Sequence, residues 1–213
     1  MEDVLDLYAE PFHPRRPVVC FDERPVQLLA DVYAPLPLQP GQARRVDYEY
    51  ERGGTANLFV MCQPLAGWRD VKTTERRTKI DFAFCMKELV DVHFPEADVI
   101  RVVLDNLNTH TVATLIEIFG KAEADRLVAR LTLHYTPCHA SWVNIAEIEL
   151  SAMTEQCLDR RLADDWTLWT ELMAWEAPRN RQAVPIQWSF SWKRAKRMFI
   201  KDDTQAEVVQ ADA

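Results

Sequence analysis

The sequence predicts an α/β protein with a mixed sheet, made of an antiparallel meander and parallel strands, flanked by helices and followed by a helical C-terminal extension. Two observations support this class. A run of strand-like segments comes first in the chain, and single strands separated by helices follow it, which is the order expected when helices pack on a mixed sheet. Hydrophobic residues make up 48% of the 213 positions, an ordinary content for a globular protein with a sizeable core.

The first half of the chain contains the predicted meander. Short apolar runs and alternating apolar and polar residues indicate strands, whereas Gly and Pro mark the connections. The predicted elements are a buried strand at 17–22, a loop at 34–42, a half-buried strand at 46–51, a turn at Gly53-Gly54, and strands at 57–64 and 68–73.

The second half alternates helices with strands. Apolar residues recur there at intervals of three and four, which is the spacing of a helix with one buried face. The predicted elements are a helix at 78–93, a buried strand at 99–105, helices at 111–119 and 122–129, a strand at 130–135, helices beginning at 143 and at 162, and a basic terminal helix at 193–200. Trp166, Trp169 and Trp175 have helical spacing, and we expect them to lie in the core.

These elements divide the chain into four regions. They are an amphipathic N-terminal remnant segment at 1–16, a main domain at 17–158, the helical extension at 159–200, and a polar tail at 201–213. We expect the tail to be disordered, because it contains too few apolar residues to pack.

Composition and charge exclude several classes of protein. The formal net charge is −8, so binding of DNA by charge alone, which needs a basic surface, is not expected. Only 5 glycines are present, which leaves little material for a glycine-rich phosphate loop. The 5 cysteines form no Cys-x-x-Cys pair, and the sequence shows neither a signal peptide nor an apolar run of membrane-spanning length. We therefore expect a reduced, cytoplasmic protein with no membrane partner.

Carboxylates at two strand ends suggest a metal site. Asp22 and Asp105 each close an apolar run, and with an acid from a facing helix they would form an oxygen-rich pocket suited to Mg²⁺ or Mn²⁺. The helix beginning near Val143 offers Glu147 and Glu149, which lie about 200° apart around a helix. At most one of them can face the site, and periodicity does not choose between them. The alternative is that all of these acids are surface charges or helix caps.

Three sequence words surround these acids. The first is Cys-Phe-Asp-Glu at 20–23, the second is Asp-Asn-x-x-x-His at 105–110, and the third is Ser-Trp-x-Asn-x-x-Glu at 141–147, which follows Thr-Pro at 136–137. In this order they resemble the catalytic domain of DDE transposases of the bacterial insertion-sequence branch of the mariner-type superfamily. The resemblance covers about residues 15–200 and implies an RNase H-like fold.

The resemblance also implies a catalytic triad and its cofactor. The family's three acids fall on Asp22, Asp105 and Glu147, which would be both the catalytic residues and the metal ligands, and Glu149 would then face solvent or support the acids. Two divalent ions, Mg²⁺ or Mn²⁺, would serve hydrolysis and strand transfer of DNA phosphodiesters. The implied partners are transposon ends and target DNA, and the pairing of two ends implies a homodimer. The interval from Asp105 to Glu147 is slightly long for the superfamily, and residues 120–130 can absorb the insertion.

Other polar residues could support the acids or bind DNA. Asn106, His110 and Asn144 could brace the acids or contact phosphate, although His110 could instead cap the helix that begins at Thr111. Two basic clusters could contact the DNA backbone or be solvated surface. They consist of Lys72, Arg76, Arg77 and Lys79, and of Lys193, Arg194, Lys196, Arg197 and Lys201.

Two further interpretations stay open on the sequence. Transposases of this family carry a helix-turn-helix module ahead of the catalytic domain, and the 21 residues before Asp22 are too few for one. We therefore expect DNA recognition to come from another polypeptide, or to be missing because the reading frame is truncated. One alternative function is a non-catalytic remnant that keeps the fold and binds DNA or a partner. The other is an RNase H-like nuclease for RNA–DNA hybrids, which would share the acids but not the Asn-x-x-Glu word.

Overall fold

A computed structural model of the chain describes residues 1–33, 40–41, 48–138, 140–191, 193–194 and 196. The predicted loop at 34–42, the predicted strand at 46–51 and the predicted terminal helix at 193–200 therefore lie partly outside the described residues. The tail at 201–213 lies wholly outside them.

The described part of the chain contains six α-helices and five strands. They are α1 (Glu2–Ala9), β1 (Val18–Asp31), β2 (Tyr50–Gln63), β3 (Trp68–Thr74), α2 (Lys79–Glu88), β4 (Ile100–Leu104), α3 (Val112–Phe119), α4 (Lys121–Val128), β5 (Leu131–Tyr135), α5 (Ala146–Met153) and α6 (Asp165–Gln182). Single π-helical turns extend α2 over Leu89–His93 and α5 over Thr154–Leu158. Over the described ranges, no helix combines the length and the apolar character needed to cross a bilayer.

The five strands form one mixed sheet in the order β3-β2-β1-β4-β5. β1, β2 and β3 are antiparallel neighbours, which is the predicted meander, whereas β4 pairs in parallel with both β1 and β5. Parallel neighbours need crossover connections, and α2 supplies the one before β4 while α3 and α4 supply the one before β5. The predicted fold class is confirmed.

The hairpin of β1 and β2 is longer than the sequence predicted. The apolar run predicted a strand that ends at Asp22, but β1 continues to Asp31 as the partner of β2. Gly53-Gly54, predicted as a turn, lies inside β2 at a β-bulge in the pairing with β1. A Cβ on Gly53 would collide with the carbonyl oxygen of Ala163. The prediction of a turn is therefore wrong, because this glycine serves the close approach of another backbone.

The sheet has a packed core on both faces. On one face Phe21 and Phe59 pack with α2, α3 and α4, and on the other Cys20 and Cys62 pack with α1 and the start of α5. Because successive side chains of a strand point to opposite faces, the even-numbered residues at the start of β1 point toward α5. All five cysteines are free, and every one except Cys138 is buried.

Helix α1 is part of this packed body, although the sequence suggested a remnant segment at 1–16. Val4, Leu5 and Leu7 are buried against the sheet face that carries Cys20. The amphipathic spacing of these residues gives α1 a single apolar face, and burial of that face completes the core beside α5.

Helix α6 packs against the meander through Leu168 and Leu172, which are fully buried. These two residues occupy the inner face of the helix, so the tryptophans of the same turns are directed elsewhere. Trp166 and Trp169 are 73% and 43% exposed, and their rings contact each other at 5.2 Å between centroids. The expectation that they lie in the core is wrong, while Trp175 is half-buried against the core as expected.

The outer edge of β3 is bound by side chains of α6. The side chain of Asn180 accepts from the N–H of Arg69 at 2.9 Å and donates to the carbonyl oxygen of the same residue at 2.7 Å. Glu176 accepts from the N–H of Val71 at 2.9 Å. An edge strand with open backbone groups invites pairing with other chains, and α6 occupies these groups.

Candidate active site

Asp22 and Asp105 are brought together by the parallel pairing of β1 with β4. The ladder ends with the pair of Cys20 and Val103, and the same offset, continued by two residues, corresponds to Asp22 beside Asp105. β4 ends one residue before Asp105, so the two strands separate at this point. Paired positions of neighbouring strands direct their side chains to the same face, and both carboxylates therefore lie where the strands part.

Glu147 lies in the first turn of α5, near enough for its charge to act on Asp22. Asn144 fixes the start of that helix. The Asn144 amide donates to the carbonyl oxygen of Phe21 at 2.8 Å and lies 3.4 Å from Oδ2 of Asp22, while its Oδ1 accepts from the N–H of Ala146 at 3.2 Å. Asn144 is buried. These contacts favour a bracing role for Asn144 over a contact with phosphate.

Asp22 is the acid of the candidate site whose pKa is raised. Burial, followed by the negative charges of Glu147, Asp105 and Glu23, raises the pKa of Asp22 to about 7, although the backbone N–H of Glu23 donates to this carboxylate and lowers the pKa in part. The charges of the two other predicted acids thus act on Asp22 directly. Like charges held together in a partly dry site are costly unless a cation compensates them.

His110 holds Asp105 in place from the opposite face of the sheet. Its buried ring lies against Phe82 at 4.7 Å and meets Phe21 edge-on at 5.4 Å. Nδ1 donates to Oδ1 of Asp105 at 2.7 Å, and Nε2 lies 3.5 Å from Oε2 of Glu23. Burial lowers the pKa of His110, but the two carboxylates outweigh it and raise the pKa to about 9. At neutral pH the imidazole is therefore a cation that bonds Asp105 and lies beside Glu23.

The alternative role of His110 as a helix cap is wrong. The side chain of Thr111 caps α3 by accepting from the N–H of Thr114. The His110 ring points into the core between two aromatic rings, so it is not available to the helix terminus.

Glu149 does not face solvent. Its side chain is 2% exposed and forms an ion pair with the equally buried Arg69, with Nε to Oε2 and Nη2 to Oε1 both at 3.1 Å. The expectation of a solvent-facing acid is therefore corrected: Glu149 points toward β3, and Glu147 is the acid of this helix whose charge acts on Asp22.

The remaining candidates differ in how accessible they are. Asn106 is exposed just beyond β4. In the first basic cluster, Lys72 is paired with Glu88 and Lys79 with Glu117.

The two arginines of that cluster are more open. Nε of Arg77 lies 3.3 Å from Oε1 of Glu23, and its side chain is 46% exposed, which places this arginine beside the acid that directly follows Asp22. Arg76 is exposed, and within the described residues no acid is paired with it.

The second basic cluster lies largely beyond what can be described. Lys193, Arg194 and Lys196 are exposed. Arg197 and Lys201, the other members of the cluster, lie outside the described residues.

The chemistry of the acids fits a hard divalent cation, although the side chains do not form a finished cage. The donors are carboxylate oxygens, which Mg²⁺ and Mn²⁺ prefer, and the raised pKa of Asp22 shows charge that a cation would neutralise. Within the described ranges, no three His, Cys, Asp or Glu side chains converge closely enough to hold an ion as they stand. Asp105, whose carboxylate is turned to His110, would have to rotate toward Asp22 and Glu147.

Comparison with known proteins identifies the family. The family model described as "DDE superfamily endonuclease" matches residues 17–168. The chain belongs to the DDE superfamily endonucleases. A search of curated proteins gave no significant match.

Solved structures place this DDE superfamily endonuclease among RNase H-like transposase folds. The crystal structure of the Mos1 mariner paired-end complex with Mn superposes with a TM-score of 0.56 at 16% identity, covering 83% of this chain and 52% of that one. A pre-cleavage Mos1 transpososome superposes with a TM-score of 0.54 at 15% identity, covering 86% of this chain and 59% of that one. The Mos1 paired-end complex with Mg superposes with a TM-score of 0.54 at 16% identity, covering 85% of this chain and 54% of that one. The chain thus spans about half the length of these relatives.

Sequence reasoning missed two participants of the site region. Glu23 directly follows Asp22, so alternation along the strand turns it to the opposite face, where it meets His110 and Arg77. Its position in the Cys-Phe-Asp-Glu word was a usable signal. Arg69 gave no signal, because a single arginine in a strand does not reveal which distant acid it pairs with.

Proposed function

We propose that this protein is a transposase-type DNA endonuclease and strand transferase that uses two divalent ions, Mg²⁺ or Mn²⁺. The observation that carries the proposal is the proximity of three acids from separate elements: burial, and then the charges of Glu147 and Asp105, raise the pKa of Asp22. When bound, the ions would activate the attacking water or 3′-hydroxyl and stabilise the leaving oxygen in an in-line displacement.

The residues around the acids would prepare them for this task. Asn144 joins the strand that carries Asp22 to the helix that carries Glu147. His110 anchors Asp105 by a hydrogen bond to Nδ1. Arg77, half-exposed at the rim, is placed to bind a DNA phosphate, because a guanidinium offers several donors to its oxygens.

The solved relatives suggest the partners. Their structures are described as paired-end complexes and a transpososome, so we propose transposon ends and target DNA as substrates and a homodimer as the working assembly. An activity on DNA, together with five free cysteines, favours the cytoplasm as the compartment.

The test is Mn²⁺-dependent nicking of supercoiled DNA by the 213-residue chain and two variants. Asp105→Ala should abolish nicking, because it removes one ligand. Asp125→Ala should leave nicking unchanged, because this acid is 60% exposed on α4 and pairs only with Lys121. Equal nicking by the wild type and Asp105→Ala would reject the proposal.

A comparison of substrates separates the RNase H alternative. An enzyme for RNA–DNA hybrids would cut a hybrid faster than the matching DNA duplex, whereas we expect cutting of duplex DNA.

The non-catalytic alternative is favoured by one observation, the lack of three converging ligands within the described residues. It predicts a folded chain that binds DNA or a partner and gives no nicking in either Mn²⁺ or Mg²⁺.

A further inference from the structure

We propose that Arg69 and Glu149 are positioning residues, which set the rotation of α5 and thereby direct Glu147 toward Asp22. This inference rests on the proposed function, because it gives Glu147 its catalytic importance. It concerns an ion pair on the other side of the helix from the three acids, between α5 and the edge strand β3.

The geometry of the pair is suited to fixing an angle. Both oxygens of Glu149 are bound, one by Nε and one by Nη2 of Arg69, each at 3.1 Å. Nη2 of Arg179 lies 3.7 Å from the same carboxylate. A planar guanidinium that binds both oxygens of a carboxylate restricts its orientation as well as its position.

The position of Glu149 on the helix couples this restriction to Glu147. The two residues lie about 200° apart around α5, and both belong to the first turn of a helix that has 8 residues. When Glu149 is held toward β3, Glu147 must face the opposite way, toward β1. A rotation of about 100°, which is the step of one residue, would turn Glu147 away from Asp22.

Arg69 is itself held firmly. Asn180 binds both the N–H and the carbonyl oxygen of Arg69, and Glu176 binds the N–H of Val71 two residues further along the strand. A continuous set of contacts therefore runs from α6 through the backbone of β3 and the Arg69–Glu149 pair to the first turn of α5.

Stability alone does not explain such a pair. Removing two charges from water costs free energy that the attraction only partly returns, and well-packed apolar residues often replace a buried pair without loss. In addition, Nη1 of Arg69 is buried and has no hydrogen-bond partner within the described residues, which is a further cost. Orientation of α5 is the benefit that the geometry offers in return.

The test compares single variants with an apolar double variant. Glu149→Gln and Arg69→Met should each lower the melting temperature, because each leaves a buried charge unpaired. Arg69→Met/Glu149→Leu should recover most of the melting temperature. If the pair positions Glu147, the double variant should still nick DNA about 10- to 100-fold more slowly than the wild type, the loss typical of residues that orient metal ligands.

Two measurements do not depend on nicking. Mn²⁺ affinity, measured by electron paramagnetic resonance without DNA, should fall in the double variant by a similar factor. Amide hydrogen exchange in residues 146–153 should become faster, because α5 loses its fixed orientation. The matched control is Lys121→Met/Asp125→Leu, which removes an exposed pair on α4 and should change neither quantity.

The outcomes separate this inference from the proposed function. A double variant that is stable and keeps wild-type Mn²⁺ affinity and α5 exchange overturns the positioning role. Absence of nicking in the wild type overturns the proposed function, while the metal affinity and the exchange still decide the positioning role. Should the double variant fail to fold, Arg69→Lys decides instead: it keeps the charge but loses the two-point contact, and wild-type values in it overturn the role.

Discussion

Asp22 is a half-buried acid whose three acidic neighbours act on it from different elements. Glu147 and Asp105 contribute from α5 and from the end of β4, and Glu23 contributes from the same strand. In the metal-free protein this arrangement opposes ionisation, so the charge of Asp22 should reduce stability. The residue that matters most for the proposed chemistry is therefore expected to be unfavourable for folding.

Asp22→Asn should stabilise the metal-free protein at pH 8. The pKa of Asp22 is about 7 in the folded chain against an ordinary value of 3.8, so the native state binds more protons and the wild type loses stability as the pH rises from about 4 through 7. The advantage of the Asn variant in thermal unfolding with EDTA should grow over that range and be small below pH 4.

Addition of Mn²⁺ completes this test. It should raise the melting temperature of the wild type more than that of Asp22→Asn, because a ligand stabilises the state that binds it. An Asn variant that is less stable than the wild type at pH 8 in EDTA would contradict the electrostatic interpretation.

His110→Ala should destabilise the protein by about 2–4 kcal/mol, from the cavity left between Phe82 and Phe21 and from the loss of a cation beside two carboxylates. Urea unfolding measures the change. His134→Ala is the matched control, since the ring of His134 bonds the exposed Asp3, and it should cost less than about 1 kcal/mol. Equal losses for both variants would show that the contacts of His110 are of little consequence.

Among the contacts between elements, the binding of the β3 backbone by side chains of α6 was not predicted from the sequence. Burial raises the pKa of Glu176 to about 7 and the charge of Asp70 adds to this, while the N–H of Val71 and the charge of Arg69 act against it. The carboxyl group that closes the edge of β3 is thus held close to its point of ionisation at neutral pH.

Glu176→Gln should therefore increase stability at pH 8 by about 1 kcal/mol, after allowance for partial exposure. The amide oxygen can still accept from the N–H of Val71, and the buried charge is removed. Because the pKa of Glu176 is about 7 in the folded chain and ordinarily 4.5, the gain should shrink as the pH falls from 8 to 4.5. Chemical unfolding at several pH values measures this gain in stability. A gain that is constant with pH would contradict a raised pKa for Glu176.

Local pattern predicted the elements well where the pattern had one physical cause. The apolar residues of α2 and of β4 have a single burial face or are wholly buried, and both elements appear where they were expected. The predicted strand ended too early, at Asp22, because the second half of β1 has no β4 beside it and is partly exposed, so its residues are less uniformly apolar. Trp166 was misplaced because hydrophobicity does not reveal which face of α6 meets the sheet.

The local sequence pattern predicted only in part which acids belong to the candidate site. Asp22 and Asp105 follow apolar runs, and parallel pairing makes such positions neighbours, so their meeting could be expected. The choice between Glu147 and Glu149 depended on Arg69, a residue of another element. Pairings of this kind are set by tertiary structure, and nothing in the sequence around Glu149 indicates them.

At the scale of the whole molecule, the net charge of −8 leaves few cations for DNA. Several basic side chains are already paired, such as Lys72 with Glu88 and Lys79 with Glu117. We therefore expect weak, salt-sensitive DNA binding that depends on a small number of open arginines.

Arg76→Ala should weaken DNA binding in a way that is independent of sequence and should reduce the slope of log K against log salt by about 1, as expected for one phosphate contact. Fluorescence anisotropy at several salt concentrations measures this. Arg126→Ala is the matched control, because this arginine is engaged by Asp91 and Glu123. A slope that changes equally in both variants would show that Arg76 makes no phosphate contact.

The pairing of β1 with β4 covers only three residue positions, Val18 to Cys20, and β2, β3 and α2 lie between these strands in the chain. Joining them closes a long loop, which makes such contacts slow to form during folding. In a nascent or partly folded chain without this pairing, Asp22 and Asp105 are therefore not yet neighbours. Under the proposed function, cleavage of DNA would be confined to molecules that have finished folding, and the recovery of nicking during refolding would report the arrival of the native state.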